Sequence, residues 1–135
     1  GTPNTPGIAG LLAGVRFVAS QGVAAIRRHE SALVSMLLEG LGAIPGVHIH
    51  GPADPGKGIA VVSFTIDGMD ASEIAFRLDD GYGIMSRPGL HCAPSAHRTL
   101  GTFPGGTVRL GIGYFNTETH IRSALEAVSS IVNNP

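Results

Sequence analysis

Apolar residues at Ile8, Leu11, Leu12, Val15 and Val18 recur at the spacing of one helix face, which predicts a helix over residues 5–20. Gly22 interrupts the pattern, and a second amphipathic helix runs from there to about Leu41. Its stripe is Val23, Ile26, Leu33, Val34, Leu37, Leu38 and Leu41, with Arg27, Arg28, Glu30 and Glu39 off that stripe. Pro45-Gly46 ends it. The alternation Val47-His48-Ile49-His50 then reads as a short strand. A loop over 51–58 leads to a strand at 59–66, where Val62, Phe64 and Ile66 share one face.

Asp70, with Glu73 three residues later, resembles a capping box opening a short helix through Ile74 and Leu78. Gly81 and Gly83 are expected to close it, and 84–87 reads as a strand. Residues 88–106 have no clear period. Residues 107–113 form a further expected strand, and Asn116 or Thr117 caps a last helix with Ile121, Ala124, Leu125, Val128, Ile131 and Val132 on its stripe. The expected order is α-α-β-β-α-β-β-α. This is an α/β (α+β) domain, with a short mixed or antiparallel sheet covered by helices on one face. Neither a repeat nor an inter-domain linker divides residues 1–135.

Composition narrows the classes. The chain has 135 residues, 43% of them hydrophobic, enough for one buried core. Nine Lys+Arg against ten Asp+Glu leave no basic footprint for nucleic acid or an anionic membrane. One cysteine excludes an internal disulfide framework. No apolar run approaches the ~20 residues of a spanning helix, and no signal peptide opens the chain. The expectation is a soluble, cytoplasmic protein.

Candidate chemistry gathers around the aperiodic 88–106 stretch, since a long loop in a compact domain often carries function. Arg87 precedes it, His91-Cys92 lies within it, and Arg109 sits in the returning strand. There Val108, Leu110 and Ile112 point one way and Arg109 the other, beside Gly111 and Gly113. That leaves a shallow space where a small anion could lie, and the arginine fork suits a carboxylate. The plainer reading is a surface arginine paired with a nearby Asp or Glu. Cys92, flanked by Gly and Pro, is expected to be accessible, and a neighbouring His or Arg would favour its nucleophilic thiolate. A lone cysteine is otherwise a small hydrophobe. His48 and His50 share a strand face, and His91, Cys92 and His97 cluster, yet no zinc-ligand spacing is present, so no metal is expected. Neither a P-loop nor a dinucleotide fingerprint occurs.

The strings GTPN at 1–4, SRPGLHCAPSAH at 86–97 and GTVRLGIGYFNT at 106–117, with His29-Glu30 in the long helix, resemble the C-terminal part of a cysteine desulfurase. That family is among the class V, fold-type I, pyridoxal-phosphate (PLP) enzymes, and the compact RPGLHCA loop is similar to its selenocysteine-lyase-like group. The resemblance covers essentially the whole chain. It implies that Cys92 is the nucleophile that takes sulfur from L-cysteine, leaving alanine and a Cys92 persulfide. It implies that Arg109 holds the substrate carboxylate, that Arg87 lines the same pocket, and that His91 lies beside the nucleophile. Thr2 would reach the phosphate of PLP across a homodimer. A sulfur-acceptor protein is a further implied partner.

Departures qualify that picture. The family binds PLP through a lysine that follows a histidine in its large domain, whereas the single lysine here, Lys57, lies in ADPGKGIA. The resemblance therefore implies a small domain without the PLP-lysine domain, inactive by itself, with the apolar side of its first helix exposed. Leu110-Gly111 also follows Arg109 where the family often has a small hydroxyl residue. The alternatives are a selenocysteine lyase or cysteine sulfinate desulfinase, or a free-standing module that binds without catalysing.

Overall fold

The structure, a computed structural model, describes residues 1–52, 54 and 56–134. Ala53 and Pro55 of the expected 51–58 loop, and Pro135 at the end of the expected domain, lie outside the described residues. Five helices and four strands follow one another as α1 (Thr5–Gln21), α2 (Val23–Gly42), β1 (Val47–His50), β2 (Val61–Ile66), α3 (Ala71–Tyr82), β3 (Arg87–Gly89), α4 (Pro94–Leu100), β4 (Thr107–Gly111) and α5 (Glu118–Asn133). The sheet order is β1-β2-β4-β3 and every pairing is antiparallel.

The core lies between one face of the sheet and α2, α3 and α5. Val62, Phe64, Ile66, Val108 and Leu110 meet Leu33, Leu37, Leu41, Ile74, Leu78, Ile121, Val128 and Ile131 there. The period-2 and period-3.6 stripes thus find one another, as burial of complementary apolar faces requires. The long stripe expected for α2 holds only over its second half: Leu33, Val34, Leu37 and Leu41 are buried, whereas Val23 is exposed. On α5, Ala127 is fully buried and Leu125 only partly so.

Helix α1 meets α2 at 79° across Gly22 and has no buried residue. Its apolar side chains, Leu11 at 68% among them, face outward as expected. Among the described residues, no single helix is long and apolar enough to cross a membrane.

Local chemistry explains several boundaries. Asp70 caps α3 by accepting from the Ser72 N–H at 2.7 Å, but Glu73 pairs with Arg77 at 2.6 Å, so the capping box is only half made. Gly81 lies inside α3, and Gly83 alone, at φ 64°, terminates it. Thr117, not Asn116, caps α5, accepting from the His120 N–H while its own N–H donates to His120 Nδ1, both at 3.4 Å. Asn116 instead accepts from the Gly113 N–H at 2.8 Å, and its carbonyl meets His29 Nε2 at 3.0 Å. That bond ties the YFNT turn to α2.

Two expected strand limits move inward and a third strand shifts along the chain. The strand expected at 59–66 begins at Val61, and the one expected at 107–113 ends at Gly111. The strand expected over 84–87 forms at 87–89 instead, because the Ile84 N–H is taken by Leu78 O at 2.8 Å, closing α3 before pairing can begin. The aperiodic 88–106 stretch contains an unexpected helix, α4, set between Pro94 in its first turn and Gly101 at φ 75°. The turn after α4 comes beside His48, His50 and Thr65 on the other face of the sheet.

Candidate functional site

The alternation along β4 that buries Val108 and Leu110 turns Thr107 and Arg109 to the opposite face of the sheet. Arg109 lies directly between Ser63 of β2 and Arg87 of β3, so pairing sets two arginines opposite one another on the ladder. Among the described residues no carboxylate pairs with either arginine. Adjacent like charges on a sheet repel. An anion laid across them removes that repulsion and takes two parallel hydrogen bonds from each fork. Space exists for one: Arg109 is half-buried, Arg87 is exposed, and a Cβ on Gly111 would meet nothing within 4 Å. Gly113 serves the Asn116 turn rather than the opening.

The chain leaves β3 through Gly89 at φ 99° and reaches Pro94 by way of two non-glycine residues in the left-handed region, His91 at φ 51° and Cys92 at φ 61°. Cys92 is exposed and free. The His91 ring lies half-buried, with Nε2 3.2 Å from the Thr107 hydroxyl, while Nδ1 is buried and has no partner among the described residues. Burial lowers the His91 pKa first, and electrostatic interactions with Arg109, His97 and Arg87 lower it further, against a smaller raising effect of a hydrogen bond to the Thr107 backbone. His91 is therefore neutral at neutral pH. His97 is buried 5.8 Å from it, ring centre to ring centre, with its Nδ1 2.7 Å from the Thr102 hydroxyl.

The fold thus sets Arg87 opposite Arg109 on the β3–β4 ribbon, with His91 and Cys92 in the turn that follows β3. Thr2 is exposed ahead of α1, and no hydrogen bond joins it to that group among the described residues. Thr107 was not singled out by the sequence reading. Its position two residues before Arg109 on the same face was the available signal. His48 and His50 bond Asp67 at 2.8 Å and Thr65 at 2.9 Å, and among the described residues no three His, Cys, Asp or Glu side chains are placed to hold a metal. A crevice of about 420 Å³ beside these histidines is bounded by residues 100–106, and none of Arg87, Cys92 or Arg109 lines it.

A lysine able to hold a carbonyl cofactor as an imine is missing from this group. Lys57 extends into solvent, 3.9 Å from Asp54, on the loop whose end meets Ile112 through Ala60. It therefore lies toward the opposite end of β4 from Cys92. These residues fit the binding of a substrate carboxylate and the presentation of a thiol, but not the anchoring of PLP.

Comparison with known proteins agrees with the geometry. The model of the aminotransferase class-V family matches residues 1–123. A probable cysteine desulfurase 2 of Mycobacterium leprae is 38% identical over 117 residues, covering 87% of this chain and 27% of that protein. A probable cysteine desulfurase of Methanothermobacter thermautotrophicus is 34% identical over 132 residues, covering 97% and 32%. The apo structure of a cysteine desulfurase from Thermococcus onnurineus NA1 superposes with a TM-score of 0.92 at 36% identity, covering all of this chain and 33% of that one. The chain spans about a third of the length of these relatives.

Proposed function

The chain belongs to the aminotransferase class-V family, and on that premise we propose that it forms the substrate-binding and thiol-bearing part of a PLP-dependent cysteine desulfurase. The observation that carries the reading is the unpaired Arg87–Arg109 pair beside a neutral His91 and an exposed Cys92.

Arg109 holds the α-carboxylate of L-cysteine through its fork, and Arg87, opposite it, adds a second cationic contact. With the carboxylate fixed, the substrate sulfur is presented to Cys92. The Cys92 thiolate attacks that sulfur, a new S–S bond forms, and the substrate's C–S bond breaks with its electron pair remaining on carbon. Protonation of that carbon gives alanine, so one cysteine and one Cys92 thiol become one alanine and one Cys92 persulfide. PLP, when bound, supplies the electron sink for cleavage at the substrate carbons. Its anchoring lysine is not among these 135 residues, and Thr2 is the residue of this chain that would meet its phosphate, across a homodimer. The persulfide then passes to a sulfur acceptor at the exposed Cys92 position. The 135 residues alone do not turn over cysteine, and alanine release by them would overturn that statement.

The test is Cys92→Ser in the full-length protein. Sulfide release from L-cysteine should be lost while PLP absorbance persists. Release at the parent rate would refute the assignment of Cys92.

A further inference from the structure

The turn carrying Cys92 is conformationally expensive. His91 and Cys92 are consecutive and both left-handed, at φ 51° and 61°, a region that side chains with a Cβ visit at a steric cost. Such a conformation persists only where its surroundings hold it. Three restraints do so. Gly89 is paired opposite Thr107 in the ladder. The Ala93 N–H closes a turn onto Leu90 O at 2.8 Å. The third is the His91 ring, 3.2 Å from the Thr107 hydroxyl.

That last bond is made by a side chain of the turn itself, and the ring also interacts with the Thr107 backbone. Thr107 is 1% exposed, so its hydroxyl has no water to turn to if the ring leaves. The ring, with Nδ1 already unpartnered in a buried position, would lose the hydroxyl contact of its Nε2. The bond therefore favours the observed conformation from both sides.

We propose that Thr107 is a positioning residue whose hydroxyl, by binding His91 Nε2, clamps the left-handed His91–Cys92 turn against β4 and so sets where the Cys92 sulfur meets substrate. This rests on the reading of Cys92 as nucleophile. Thr107 touches neither substrate nor sulfur and acts through His91. Because Arg109 lies two residues further along the same strand and binds through its own side chain, loss of the clamp leaves carboxylate binding in place. The sulfur-transfer step alone slows.

Thr107→Val in the full-length protein removes the hydroxyl and keeps the shape and branching of the side chain, so β4 retains its packing. Amide hydrogen exchange over residues 90–93 should quicken by about tenfold, the effect of one hydrogen bond at the upper end of its usual range. The kcat for sulfide release should fall by a similar factor with KM nearly unchanged, and Thr107→Ser should restore both. In a His91→Gly background, where the bond is already gone and the left-handed cost is relieved, Thr107→Val should add no further change in exchange. Unchanged exchange and kcat in Thr107→Val, a loss that Thr107→Ser fails to restore, or an equal loss in the His91→Gly background would each overturn the proposal. Parent-rate release by Cys92→Ser would instead strike the reading beneath it, and the exchange experiment would still decide whether the clamp exists.

Discussion

Gly106→Ala tests whether a backbone contact holds the site together. Gly106 is buried immediately before β4 at φ 77°, and a Cβ placed there would run into the backbone of Gly89, the last residue of β3. Two costs act together. A left-handed alanine is disfavoured by ~1–2 kcal/mol. The overlap is with main-chain atoms, so no rotamer change relieves it, and β3 must move off β4. β3 has only three residues, so losing even one ladder hydrogen bond, at ~1 kcal/mol, disturbs all of it. The combined destabilisation is about 3 kcal/mol, measured as the change in urea unfolding free energy of the full-length protein. The neighbouring Gly105→Ala is the matched control. Gly105 is exposed, carries no positive φ, and its Cβ would meet nothing within 4 Å. That substitution should be neutral or stabilising by up to ~1 kcal/mol through the unfolded chain. Because Gly89 leads directly into the Cys92 turn, Gly106→Ala should also lower sulfide release in protein that is still folded. Equal stabilities for the two variants, within ~0.5 kcal/mol, would refute the reasoning.

Arg109→Lys keeps the charge but loses the fork. Loss of one charge-assisted hydrogen bond, worth ~1.5–3 kcal/mol, should lower kcat/KM for L-cysteine by roughly 10- to 100-fold, mainly through KM. A larger loss from Arg87→Lys than from Arg109→Lys would reverse the assigned roles. Stability should also depend on pH through His91 and His50. Both have folded pKa values lowered from 6.5, in each case first by burial; His91 then faces Arg109, His97 and Arg87, and His50 faces His48 and His97. The unfolded chain therefore binds more protons between the folded value and 6.5. Their contribution is present in full above that window and lost as pH falls through it. Urea midpoints of the parent should fall more between pH 7.5 and pH 5 than those of a His50→Gln, His91→Asn double variant, and parallel pH profiles would contradict this.

Much of this fold was legible in local pattern. The alternation of four residues marked β1 at its observed limits, Val47–His50. Period 2 along β4 put Arg109 on the face away from the core before any neighbour was known, because successive side chains on a strand must oppose one another. Asp70, and the Asn116-Thr117 pair, marked helix starts because short oxygen-bearing side chains satisfy free N–H groups that the helix itself leaves over, and the structure chose Thr117. The motif strings pointed to Cys92, Arg87, His91 and Arg109 as one group; the fold pairs Arg87 with Arg109 and sets His91 against Thr107 of the same strand.

Helix α4 escaped because it spans seven residues and offers too few apolar positions for a period. Pro94 and Gly101 were its only punctuation. The outward face of α1 could be read as apolar from its spacing, but only the assembled domain shows that none of its residues is buried. What tertiary structure alone decided was which strands are neighbours. The order β1-β2-β4-β3 sets Arg87 against Arg109 and Gly89 against Thr107, and brings His91 to a hydroxyl sixteen positions away in sequence. Side-chain period and caps are local consequences of backbone geometry, and a single chain segment carries them. Strand pairing is settled by the burial of several distant apolar faces at once, and no one segment encodes that outcome.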